Sequence, residues 1–161
     1  PPLIDECPKV SVTSLMAAMA ADLVPALGKR CLLVLDAYFA VAPVFVILKQ
    51  VRDSAGCSYL VKSSAWDNCL IRADGFREIT IDLYGQVKQL SFLCLDLIWK
   101  PVDDKVRFVL VQDGAEHFIL VGSDLILSAV DMILAYSYRF KIEVSFKVLK
   151  HLIGAFFTDS G

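Results

Sequence analysis

Tyr136, Arg139, Glu143 and Lys150 follow one another at steps of three, four and seven in the stretch Y-S-Y-R-F-K-I-E-V-S-F-K-V-L-K, residues 136–150. At about 100° per residue those steps put all four within roughly a 60° arc of one helix face. A carboxylate set between two cations suits a site that handles a metal ion and phosphate. Ile142, Phe146, Leu149 and Ile153 recur at helical spacing beside the stripe. The spacing therefore predicts a helix that buries one side in a core and carries the polar stripe along its edge. It fits a second reading equally: a solvated face laced with weak ion pairs, each worth about 0.2–0.5 kcal/mol.

Other elements must bring partners to this stripe. Residues 31–35 read as a short buried strand with Asp36 at its carboxyl end, followed by a helix over about 42–54 that stops near Gly56, and a second strand over 57–62. Strand, helix, strand predicts a right-handed parallel crossover, and the carboxyl ends of parallel strands are where α/β folds collect ligands. Upstream, Thr13 or Ser14 is the expected cap of a helix over 15–27, with Met16, Met19, Ala20, Leu23 and Leu27 on one side and Pro25 in its last turn. From Phe76 the texture changes to β: residues 77–83, 90–99, 105–112 and 117–121 are strand-like, with turns at Gly85, 101–104 and 113–114. Residues 125–155 turn helical again, with Asp124 as the expected cap and a break near 136–138. Residues 63–68 read as a loop.

Composition narrows the choice. The chain has 161 residues, 57% of them hydrophobic, and a mean hydropathy of +0.60. Such a chain either folds around a sheet covered on both faces or enters a membrane. The membrane alternative rests on residues 31–48, flanked by Lys29, Arg30 and Lys49, with 118–136 as a second span. Asp36 inside that stretch would cost about 2.5–3.5 kcal/mol, and Pro43 interrupts it. The sheet carries no such penalty.

Sixteen basic against eighteen acidic side chains give a net charge of −2, so the whole-chain field does not gather nucleic acid. Locally, Arg139, Lys141, Lys147 and Lys150 stand against Glu143 alone, a basic surface fit for a phosphate backbone or, on the plainer reading, for a helix dipole. The five cysteines are odd in number and form no C-x-x-C pair, which gives a disulfide framework or zinc site no support and leaves buried, reduced thiols as the expectation. No Gly-rich phosphate loop, G-x-S-x-G elbow, H-E-x-x-H or internal repeat occurs.

The spacing Tyr-x2-Arg-x3-Glu-x6-Lys resembles the C-terminal signature of bacterial insertion-sequence transposases of the DDE class. L-L-V-L-D-A-Y-F (residues 32–39) resembles the strand carrying that family's second acidic residue, and G-S-D-L-I-L-S-A (122–129) the exit into its final helix. The similarity covers residues 30–153. It implies a ribonuclease H-like α/β fold, a mixed sheet with flanking helices and a β-rich insertion, incomplete at the N-terminus. The implied layout is an arm over 1–12, catalytic core over 13–75, insertion and return strand over 76–121, the core's C-terminal helical part over 122–155, and a frayed tail over 156–161.

The resemblance also implies an activity: metal-dependent phosphodiester hydrolysis and strand transfer at transposon ends, with Mg²⁺ or Mn²⁺ held by three carboxylates. Asp36 would be the second and Glu143 the third, both catalytic and metal-binding, while Tyr136, Arg139 and Lys150 would grip DNA. The family's first Asp has no counterpart here, since Asp5, Glu6 and Asp22 end no strand. The expectation is thus a C-terminal fragment, inactive by itself, cytoplasmic and nucleoid-associated, with no small-molecule substrate and a tendency to self-associate through its uncovered apolar surface. Two alternatives stay open: a small integral membrane protein, and a non-enzymatic interaction module in which the stripe over 136–150 binds a partner.

Overall fold

A computed structural model of the chain describes residues 11–27, 31–63 and 74–153. Strands β1 (Leu32–Leu35) and β2 (Ser58–Ser63) pair in parallel, joined through helix α2 (Ala42–Ala55), with Leu35 beside Val61. Four antiparallel strands follow: β3 (Arg77–Leu83), β4 (Gln86–Trp99), β5 (Asp104–Asp113) and β6 (Glu116–Gly122). All six form one mixed sheet in the order β1-β2-β6-β5-β4-β3, so β6 returns to lie against β2 and β1 is an edge.

Both faces of the sheet are buried over its central strands, while much of β3 and the ends of β4 stay exposed. Along β5, Val106 and Leu110 point to one side and Val109 and Val111 to the other, all fully buried. The first side packs Val44, Phe45 and Leu48 of α2, and helix α1 (Val12–Leu27) lies behind, its Ala20 and Val24 against Val51 and Cys57. The second side packs Ala129, Met132 and Ile133 of helix α3 (Ala129–Ile153). This arrangement, helices on either face of a largely apolar sheet, is what the run-on apolar strands required. The molecule is an α/β protein with a mixed six-stranded sheet and flanking helices.

The structure corrects several expectations. Residues 31–48 are not one span: β1 ends at Leu35, Asp36 accepts the Ala37 N–H at 2.6 Å to cap a 3₁₀ turn (Ala37–Phe39), and α2 opens with Pro43 in its first turn. Residues 118–136 are likewise divided between β6 and α3, and among the described residues no helix is long and apolar enough to cross a membrane. The last helix is continuous through 136–138. It starts at Ala129, later than Leu125, because Ser128 and Asp131 form a reciprocal cap: Ser128 Oγ accepts the Asp131 N–H at 3.1 Å and donates to its carboxylate at 2.7 Å. Asp124 closes a local turn on Ile126 N–H instead, at 2.9 Å. Ser11, whose hydroxyl accepts from Ser14 N at 3.1 Å, takes the capping place expected of Thr13 or Ser14, and Met19, Leu23 and Leu27 face outward.

One departure bears on the site. Ile142, Phe146 and Leu149 are 58%, 64% and 51% exposed, where the spacing predicted burial. The physical reason is length. α3 reaches the carboxyl end of β1 at Arg139, and its remaining turns run on past the sheet with nothing from the described residues to cover them. Residues 1–10 of the expected arm over 1–12, most of the loop over 63–68 and the tail over 156–161 lie outside the described residues, and Val12 already belongs to α1.

Candidate functional site

Parallel pairing builds the site floor. Because Leu35 and Val61 are register partners, Asp36, just past the end of β1, comes beside Lys62 near the end of β2. The β3–β4 hairpin turns there too: Tyr84 (φ 62) and Gly85 (φ 77) are both left-handed, the conformation a two-residue hairpin turn demands, and the Tyr84 ring packs on Phe140 of α3 at 4.7 Å. The helix thereby crosses above the strand ends with Tyr136, Arg139 and Glu143 turned towards them.

Arg139 ties the site together. Its Nη2 donates to Asp36 Oδ2 at 2.8 Å, across 103 residues of sequence, and stands 2.8 Å from Glu143 Oε1 one turn further on. A single nitrogen therefore touches both carboxylates. All three side chains keep contact with solvent, so each pair is worth no more than about 1 kcal/mol and is weakened by salt. Tyr136 is more enclosed. Burial pushes its hydroxyl above the ordinary phenol value; the neighbouring Arg139 pulls it back and the Asp36 charge adds to the rise.

The sequence-predicted residues thus divide. Asp36, Tyr136, Arg139 and Glu143 are brought together. Lys150 continues α3, but its side chain lies outside the described residues. Lys62 was not singled out in the sequence; its ammonium sits 5.0 Å from the Phe118 ring centroid and 5.8 Å from that of Tyr136, adding a cation to the same floor. Only the β1–β2 register reveals it, since nothing in S-Y-L-V-K marks its final residue.

A second polar cluster, Asp96 with Arg107 on β4 and β5, is committed elsewhere. Arg107 grips Asp96 through Nε at 2.7 Å and Nη2 at 2.8 Å and donates to the Leu127 carbonyl, fastening the turn that leads into α3. The paired guanidinium holds the Asp96 carboxyl below its usual range.

Two carboxylate oxygens here converge on one guanidinium nitrogen. The donor set suits a hard divalent ion, which takes one or two carboxylates and fills its remaining positions with water and phosphate. Among the described residues no group of three or more His, Cys, Asp and Glu side chains is placed to hold a metal ion. No protein-family model matches the chain, and no curated protein matches it.

Proposed function

We propose that this chain is the part of a ribonuclease H-like DDE transposase catalytic domain that carries the second and third carboxylates, Asp36 and Glu143. The observation that carries the reading is the bridge through Arg139: a carboxylate leaving a parallel strand and one on the final helix meet at one point. The contact joins residues 103 apart in sequence. The sheet is compatible with the same reading, because among the described residues β1 pairs on one side only.

In this reading Asp36 and Glu143 hold Mg²⁺ or Mn²⁺, and the ion, when bound, supplies an activated oxygen nucleophile and stabilises the leaving oxygen at a phosphodiester. Arg139 and Lys150, with Tyr136, hold DNA phosphates at transposon ends, Arg through its fork and Lys as a point charge. The protein then works in the cytoplasm at the nucleoid. With two carboxylates of three, the chain alone neither cleaves nor joins DNA, because members of one catalytic unit fail together. Strand transfer by the isolated chain in Mg²⁺ would overturn that assignment.

DNA affinity tests the reading directly. Fluorescence anisotropy of a labelled duplex, titrated at several salt concentrations, should show binding that weakens with salt, and both R139Q and K150Q should reduce the salt slope by about one. An affinity indifferent to both substitutions would remove the DNA reading. The uncovered far half of α3 favours one further property, association of the chain with itself or another protein through Ile142, Phe146 and Leu149.

A further inference from the structure

We infer that the cavity between Arg77 and Arg107 binds a small organic monocarboxylate, a molecule with one carboxylate head and an apolar body. The inference is independent of the DNA reading and uses none of the residues at the end of β1. On β4, Phe92, Cys94 and Asp96 alternate onto one face of the sheet, the face on which α3 packs. Register sets a guanidinium at each end of that row: Arg77 of β3 lies beside Phe92, and Arg107 of β5 beside Asp96. Between them is a cavity of about 440 Å³, with the buried Phe92 and Leu93 as its inner wall and the exposed Cys94 on its border. Cavities of roughly 300–1,000 Å³ take organic ligands, so this one has room for more than a lone ion.

Charge chooses the ligand. Arg107 is committed: Nε and Nη2 grip Asp96 and Nη1 holds the Leu127 carbonyl, so that end is close to neutral and fixed to the turn before α3. Arg77 has no hydrogen-bond or ion-pair partner among the described residues, and its fork is open to a planar carboxylate. The described lining therefore carries the charges of Arg77 and Arg107 against that of Asp96, a surplus of one positive charge. A monocarboxylate balances it, whereas a dianionic phosphate ester would overshoot and meet the Asp96 carboxylate with like charge. Cys94 takes no covalent part. Partial burial pushes its thiol up, against the pull of Arg107, so at neutral pH it stays protonated and offers the ligand's body a soft apolar surface beside Phe92.

Cys94 reports occupancy. Its alkylation by iodoacetamide, followed by peptide mass spectrometry, is measured against benzoate and octanoate, an aromatic and an aliphatic monocarboxylate. At twice its Kd, a ligand that covers the thiol slows the reaction about threefold by mass action. Saturable slowing at Cys94 by at least one of the two is expected, with the rate at Cys31 unchanged and with little effect from benzamide or phenyl phosphate. Absence of saturable protection by both carboxylates overturns the site. Equal protection by benzamide overturns the role of charge, and stronger protection by phenyl phosphate overturns the choice of a monoanion.

R77Q isolates the arginine. Because Arg77 is exposed, the variant should keep the native melting temperature and lose the protection of Cys94 by the carboxylates. Protection retained in R77Q removes Arg77 from the site and sinks the assignment. If R77Q fails to fold, the comparison of benzoate with benzamide on the native chain decides the matter alone.

Discussion

Asp36 and Arg139 join the end of an edge strand to the helix that crosses it, and Asp36 divides its two oxygens between tasks: one caps the 3₁₀ turn, the other takes the guanidinium. The tasks are separable by substitution. D36N keeps a cap acceptor and loses the charge, and should cost under about 1 kcal/mol, as solvent-exposed ion pairs do. D36A loses both and should cost about 1 kcal/mol more. Urea midpoints at unchanged slope decide it; equal losses in the two variants would show that the cap contributes nothing.

Tyr59 makes the opposite prediction. Its side chain is buried, with Phe45 edge-on at 5.9 Å, yet its hydroxyl has no hydrogen-bond partner among the described residues. Y59F should therefore stabilise the protein, by about 1 kcal/mol, since it removes a buried unsatisfied polar atom and little else. Burial pushes the Tyr59 hydroxyl up to about 12. An unfolded tyrosine ionises near 10, so between those values the unfolded chain releases a proton that the folded chain keeps, and stability falls as pH rises. That alkaline loss should shrink in Y59F, as measured by urea unfolding from pH 9 to 12.

At the acid end the signs reverse. Arg52 beside Asp104, and Arg107 beside Asp96, hold those carboxyls below the usual range. A lowered folded value contributes stability that is present above the unfolded value near 4 and is lost as pH falls below it. D104N and D96N should each flatten the acid limb of stability against pH, and D96N should also loosen the turn that Arg107 fastens at Leu127. Thermal melts between pH 2 and 6 check this; acid limbs unchanged from the native chain would contradict it.

The uncovered end of α3 predicts association. Phe146 is 64% exposed and shares one exposed apolar helix face with Ile142 and Leu149. F146D should lower the apparent mass in sedimentation at high protein concentration without lowering the melting temperature, because its side chain contributes nothing to the described core. A concentration-independent monomer in the native chain would remove the prediction.

Much of this architecture is fixed locally. The β1–α2–β2 unit, the hairpins at Gly85 and Gly114 and the final helix follow from short-range causes: continuous apolar runs for strands buried on both faces, turn residues with the required backbone freedom, and a 3.6-residue apolar period. The angular clustering of Tyr136, Arg139 and Glu143 is likewise a property of any helix through them. What local sequence cannot supply is which strand pairs with which, because register is set by side chains distant in the chain.

Only the tertiary structure therefore decided the rest. It put β6 against β2, set Lys62 beside Asp36, and aimed the polar stripe at the end of β1. It also left Ile142, Phe146 and Leu149 in solvent: periodicity says which residues share a face, and only the length of the sheet beneath says whether that face is covered.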